Sequence, residues 1–306
     1  MAFTAKDVAE LRKQTGCGMM DCKNALVEAD GDFDKAIKVL REKGMSASSK
    51  KADRIAAEGL VDILSEGNVS AMIEVNTETD FVAKNESFRE FVRGLLRTIL
   101  ATRPADVAAL MAANYDGTAE TVESVLNEKV FTIGEKLTIR RFLIVEGTVS
   151  TYVHGIGVTG VIVKFDTDVA DKDGFAEFAK NIALQVGAYP TPYLDRNSVP
   201  ASVLENEKAI IKTQLANDPK MANKPEKVLD GIVMGKIGKF YENNCLVDME
   251  YVKSDDHESV AKYVANTAKA LGGAIAIASF VRYEKGEGIQ KREENFAEEI
   301  AKLTNK

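Results

Sequence analysis

The spacing of apolar residues switches back and forth along this chain, and that switching limits the fold more than any single motif does. From Glu58 onward the apolar residues form β-branched runs, Leu60 to Leu64 and Val69 to Val75, separated by Glu66-Gly67-Asn68, a hairpin signal. A loop is predicted from Thr77 to Lys84, then a helix that places Phe88, Phe91, Val92, Leu95, Leu96 and Ile99 on one face. Two further helices are predicted within 104 to 131. Alternation returns at Leu137, Ile139, Arg141, Leu143 and Val145, continues in strand-like runs at Thr151 to His154 and Val158 to Phe165, and gives way to a helix with Phe175, Phe178, Ile182 and Val186. This pattern predicts an α+β protein with two sheet-plus-helix units, related as a weak internal repeat.

The flanking segments read differently. Thr4 with Asp7 makes a capping box for a first helix carrying Val8 and Leu11. Gly16 and Gly18 interrupt it, a second helix carries Met19, Met20, Cys22, Ala25 and Leu26, and Asp30-Gly31-Asp32 turns into a third with Phe33, Ile37 and Leu40. Residues Ser46 to Arg54, small and basic, read as a linker. Five of the six prolines fall between Pro190 and Pro225, and the helical stretches Ala201 to Ala216 and Lys224 to Tyr241 suggest a hairpin arm. A helix (Val260, Val264, Ala268, Leu271), a strand (Ala274 to Tyr283) and a closing helix with Phe296, Ile300 and Leu303 complete the reading.

Residues 1 to 54 carry a net charge of +2 against -9 for the remainder, and the total of -7 opposes tight sequence-independent binding to nucleic acid. Hydrophobic residues at 45% exclude global disorder. Three unevenly spaced cysteines make no disulfide framework and fit a reducing compartment. The charged, helix-like start has no apolar leader core, and the most apolar window, Ala268 to Val281, is too short for a membrane span. A cytoplasmic protein with no membrane partner is expected.

Few residues offer enzyme chemistry. His154 and His257 are the only histidines and lie far in sequence from every cysteine. Cys17 and Cys22 lack zinc spacing and a second ligand pair, so they read as packed thiols; a thiol enzyme remains the rival reading. Gly155-Ile156-Gly157-Val158-Thr159-Gly160 satisfies a dinucleotide fingerprint in letters, but a β-rich run follows where a helix N-terminus must receive the pyrophosphate, so it reads as a turn between strands. No Walker A string is present, and no cofactor or metal of the chain's own is expected. Lys50-Lys51 and Arg54 read as solvated linker. Met19 and Met20 are adjacent and point about 100° apart on a helix, so at least one is expected to face outward, where a flexible thioether suits a partner. Thr79-Asp80-Phe81-Val82-Ala83-Lys84-Asn85 has two readings: Phe81 tucked beneath the following helix with Asp80 as a cap, or a rigid loop presenting a hydrophobic wedge beside a charge.

Two segments, Leu11 to Leu26 (LRKQTGCGMMDCKNAL) and Glu74 to Asn85 (EVNTETDFVAKN), resemble the signatures of the bacterial elongation factor Ts family. Ile133-Gly134-Glu135 with Ile139-Arg140-Arg141, Tyr152-x-His154-Gly155, and Phe280 to Tyr283 with Gly286 to Ile289 resemble it too, in the right order. The resemblance implies a guanine-nucleotide exchange factor for elongation factor Tu, with no covalent chemistry of its own. It implies an N-terminal three-helix ubiquitin-associated-like domain with its linker (1–54), and an antiparallel sheet-plus-helix core in two subdomains (55–136, and 137–187 with 245–289). A coiled-coil arm (188–244) and a C-terminal helix module (290–306) complete the plan.

The resemblance also implies roles. Thr79, Asp80, Phe81 and Val82 would dislocate Mg²⁺ from elongation factor Tu, Phe81 wedging between two helices and Asp80 disturbing the ion's site. Met19, Met20 and Lys23 would grip the nucleotide-binding domain, Ile133 and Gly134 lie near the wedge, and His154 belongs to the part facing the third domain of elongation factor Tu. The partner would be met with GDP and left nucleotide-free, without direct nucleic-acid contact, and the arm is a candidate for homodimer formation. Cys17, Asn24, and Val158-Thr159 depart from residues common in the family, namely alanine, lysine and Arg-Ile. A non-enzymatic interaction scaffold built around the three-helix module is the alternative.

Overall fold

The computed structural model describes residues 3–221 and 224–290. The chain divides into two compact units, the first comprising residues up to Ile144 with Val153–Thr159 and the segment from Tyr283, the second Val145–Tyr152 with Gly160–Arg282. Helices and two small three-stranded antiparallel sheets make it an α+β protein.

The first unit opens with three helices, α1 (Ala5–Thr15), α2 (Met19–Glu28) and α3 (Phe33–Lys51). Thr4 and Asp7 form the reciprocal capping box, Asp32 caps α3 by accepting the Lys35 N–H, and Val8, Leu11, Cys22, Ala25, Leu26, Ala36 and Leu40 make a small shared core. The expected linker at Ser46 is overturned: α3 runs on to Lys51, because its face with Leu40 and Gly44 is buried and the helix lies along α7 (Val122–Ile133).

Strands β1 (Glu58–Glu66) and β2 (Val69–Thr77) form the expected hairpin about Gly67, antiparallel with Glu58 opposite Thr77. The expected loop at Thr77 to Lys84 is corrected in part, since α4 (Asp80–Lys84) makes one helical turn within it. Then come α5 (Glu86–Thr102), capped by the Asn85 side chain, α6 (Val107–Ala112), α7 and β3 (Leu137–Glu146). The amphipathic face of α5, with Phe88, Phe91, Val92, Leu95, Leu96 and Ile99, packs on Leu60, Ile73 and Val75 of the sheet. At about 25 cal/mol per Å² of apolar surface removed from water, each such side chain contributes about 1.5 to 3 kcal/mol.

The sheet order is β1-β2-β3. The boundary expected at 136/137 is therefore displaced: β3 completes the first sheet rather than opening the second subdomain. Its alternation marks a strand, but only pairing across some 60 residues decides the neighbour.

In the second unit β4 (Thr148–His154), β5 (Thr159–Thr167) and β6 (Ile275–Glu284) form a sheet in that order, covered by α8 (Phe175–Ala188) through Phe175, Phe178, Ile182 and Val186. Two helices, α9 (Ala201–Ala216) and α10 (Glu226–Asn244), pair through Ile211, Leu215, Val233 and Ile237, and α11 (Val260–Leu271) precedes β6. The expected C-terminal helix with Phe296, Ile300 and Leu303 lies outside the described residues, and Tyr283 to Ile289 belongs to the first unit rather than the second subdomain. No helix among the described residues is long and apolar enough to cross a membrane.

Candidate functional site

Phe81 decides between the two readings of the Thr79 segment. Its ring is 78% exposed, so it is not tucked beneath α5. A large aromatic left in water is informative where its surroundings hold it in place. Here they do: on the same turn Val82 packs against the core and Ala83 is buried, which leaves Phe81 and Asp80 facing outward. Lys84 donates to Asp80 Oδ2 at 2.5 Å and lies 5.9 Å from the Phe81 ring centroid. That bond to Lys84 holds the Asp80 carboxyl below the usual carboxylate range.

The base of the turn is fastened by side chains from the α7–β3 connection. Glu135 accepts from the Thr79 N–H at 3.0 Å and from the Thr79 hydroxyl at 2.6 Å. In the opposite direction, Glu78 accepts from the Lys136 N–H at 2.6 Å and from Arg54 at 3.2 Å. Lys136 Nζ donates to the Arg54 carbonyl at 2.8 Å, which closes the group. Sequence reasoning gives Glu78 and Lys136 no role, names Glu135 only within the Ile133-Gly134-Glu135 string, and reads Arg54 as solvated linker, whereas it is paired with Glu78. The two glutamates stand beside residues that had been singled out, but nothing in their spacing signals the pairing.

Ile133 ends α7 and Gly134 caps it with its backbone in the left-handed region (φ 85°). An open depression beside the wedge is lined by Phe81, Val82, Ile133 and Lys129 together with Thr15 and Gly16 at the end of α1. The structure thus brings together Phe81, Val82, Ile133 and the turn that leads into α2. Met19 and Met20, at the start of α2, are both exposed, at 43% and 61%, and Lys23 is exposed beside them. His154 is also exposed, in the turn where its carbonyl accepts the Val158 N–H at 3.0 Å; it does not line that depression.

That turn explains the glycine string. Gly157 has φ +71°, and a Cβ there would meet Leu60 Cβ at 2.5 Å, while its carbonyl accepts the Val61 N–H at 2.8 Å. The segment is the turn that the sequence predicts, and the smallness of Gly157 additionally serves close packing on β1.

Behind the wedge loop, on the strand that leads to it, lies a buried charge centre. Glu74 is fully buried and accepts from Arg140 at 2.8 Å, Arg141 at 2.6 Å, the Gly286 N–H at 2.8 Å and Asn76 at 3.2 Å. Burial pushes its carboxyl up, but the bonds from Arg140, Gly286, Arg141 and Asn76 together outweigh it and hold the group below the ordinary range. Arg141 also stacks 3.9 Å from the Tyr283 ring centroid.

The cysteines offer no nucleophile. All three are buried, and burial pushes the thiols of Cys17 and Cys22 up and that of Cys245 up to about 11, so they stay protonated at neutral pH. Among the described residues no group of three or more His, Cys, Asp or Glu side chains is placed to hold a metal ion.

A family model described as Elongation factor TS matches residues 78–287, more than half of the chain. The chain belongs to the elongation factor Ts family. Elongation factor Ts of Syntrophotalea carbinolica is 43% identical over 99% of this chain and 100% of its own length. The elongation factors Ts of Clostridioides difficile and Clostridium tetani are 45% and 44% identical, each over 98% of this chain and 98% and 99% of their own lengths. Membership in the elongation factor Ts family assigns the chain to the elongation phase of protein synthesis.

Proposed function

We propose that this chain is the guanine-nucleotide exchange factor of elongation factor Tu, acting in the cytoplasm on the GDP-bound partner and leaving it nucleotide-free for GTP. The observation that carries the reading is Phe81, an exposed aromatic on a single helical turn whose base is fastened by Glu135 and Glu78. Such a ring is already aimed before contact, so little ordering cost is left to meet on binding.

In this reading Phe81 wedges between two helices of the partner and Asp80 disturbs the site of its Mg²⁺, while Thr79 and Val82 anchor the turn. Mg²⁺ neutralises charge between phosphate and protein, so displacing it leaves the phosphate less compensated and GDP affinity falls. Burying the Phe81 side chain supplies about 2 to 3 kcal/mol. At 1.4 kcal/mol per tenfold in rate, that accounts for about a hundredfold faster release. The remaining stabilisation of the nucleotide-free partner comes from distributed contacts: Met19, Met20 and Lys23 of the three-helix domain, Ile133 and Gly134 beside the wedge, His154 of the core, and the 290–306 module. By linkage the factor weakens GDP as much as GDP weakens the factor, so the exchange is reciprocal and consumes nothing; in this reading the chain makes and breaks no covalent bond. The 188–244 arm is proposed as the self-association element.

Elongation factor Tu loaded with a fluorescent GDP and chased with unlabelled GDP tests the reading. Wild type is expected to accelerate release, and Phe81→Ala to lose most of that acceleration while keeping its circular dichroism. No acceleration by wild type with a cognate partner returns the chain to the scaffold alternative.

A further inference from the structure

Thr79 stands at the N-cap position of α4, where a threonine hydroxyl ordinarily accepts an N–H from the first turn. It makes no such bond. Its hydroxyl and N–H both donate to Glu135, and its carbonyl accepts from the Thr77 hydroxyl at 2.7 Å. The polar groups of Thr79 are therefore turned back into the protein, and the outward face of the motif is left to Asp80 and Phe81. A helix of five residues is far too short to hold its own shape in water. Its direction comes from what fastens its first residue and from the packing of Val82 and Ala83 beneath it.

Glu135 is suited to that task. Both of its carboxylate oxygens are committed to the same residue, which fixes Thr79 in rotation as well as in position. β2 ends at Thr77 and its neighbour β3 begins at Leu137, so the Glu78–Lys136 and Thr79–Glu135 bonds carry on the pairing of these two strands just past their ends. We infer that Glu135 is a positioning residue of the exchange wedge: through Thr79 it sets the direction in which Phe81 and Asp80 project. The inference rests on the exchange reading above. Without the clamp the ring is still present and the partner is still gripped elsewhere, but α4 samples several directions and only a fraction of the molecules has the wedge poised.

The test is the rate of fluorescent GDP release from elongation factor Tu, titrated with the full-length chain so that maximal rate and half-saturating concentration are read separately. Glu135→Ala is expected to lower the maximal rate about tenfold to hundredfold, the effect of losing two charge-assisted hydrogen bonds, with little change in half-saturation. Glu135→Gln, which keeps an acceptor for the hydroxyl but not for the N–H, and Thr79→Val, which loses the hydroxyl alone, are expected to fall in between. These two variants carry the test if circular dichroism shows the alanine variant unfolded. In a Phe81→Ala background Glu135→Ala is expected to cost a smaller factor than it does in wild type, because only Asp80 is left to aim.

The same fold loss with and without Phe81 overturns the inference. So does a raised half-saturation at unchanged maximal rate, or no change in either while wild type accelerates release. A wild type that accelerates nothing strikes down the exchange reading itself, and the inference with it.

Discussion

Glu74 and Glu135 both fasten strand β2 or the residues that leave it, but they work in different surroundings. Glu74 is sealed from water with two arginines and a backbone N–H around it, whereas Glu135 is half-buried and holds one neutral threonine. Withdrawing a charge from water is costly unless every bond is replaced, so Glu74 is tolerated only as part of a complete set, and its loss is felt by the whole fold. Glu135 keeps part of its hydration and controls a single turn. One clamp therefore holds the sheet to the Tyr283–Ile289 segment, and the other holds an exposed aromatic in place.

The largest expected effect follows from the buried member. Glu74→Ala takes the buried carboxylate from Arg140, Arg141 and the Gly286 N–H, leaving the two arginines their bonds to Glu287, and is expected to destabilise the fold by about 3 kcal/mol, read as a fall in the denaturation midpoint. A loss below about 1 kcal/mol would show that Glu287 and the water that already reaches both half-buried arginines make good the missing carboxylate, and would erase the contrast with Glu135. Because the folded Glu74 carboxyl lies below its ordinary range, its contribution is complete at neutral pH and is lost only as pH falls below about 4.3, the ordinary glutamate value, and through the folded one. Glu74→Gln is expected to flatten that acid limb of a stability-against-pH curve while leaving the neutral-to-basic side parallel to wild type.

Phe81→Ala is the converse case. The ring is mostly exposed, so its removal is expected to change stability by less than about 0.5 kcal/mol. Its effect on nucleotide release is expected to be about a hundredfold. Equal losses in both measurements would mean that the ring serves the fold, and the division between a structural and a functional clamp would fail.

How much of this was legible in the sequence depends on how far apart the cooperating residues lie. The three-helix unit was legible because its signals are local, the Thr4–Asp7 box and the Asp32 cap being set within three residues. The placement of β3 was not, since alternation identifies a strand without naming its partner. The glycines at 155 to 160 were legible as a turn from the β-rich run after them, although the close approach of Gly157 to Leu60 was not. At the wedge, the residues themselves offered two conformations for Phe81, and only the family resemblance favoured the exposed one. Glu135 and Thr79 are 56 residues apart and Glu74 and Gly286 are 212 apart, and no periodicity spans such distances.

The smallest effect is expected at Lys84, and it tests the outward face of the same turn. In the unbound chain Lys84 occupies Asp80 at 2.5 Å, so the carboxylate that is proposed to reach the partner's Mg²⁺ site begins with its charge already paired. A pair four residues apart on an exposed helical turn is weak and screened by salt, unlike the sealed Glu74 set, so it yields readily to a partner. Lys84→Met is expected to speed nucleotide release by no more than about twofold by freeing Asp80, and to leave stability unchanged. Added salt, which loosens the same pair, is then expected to close the gap between wild type and variant. A tenfold slowing instead would mean that Lys84 touches the partner directly, and the functional face of the turn would have to be widened from two side chains to three.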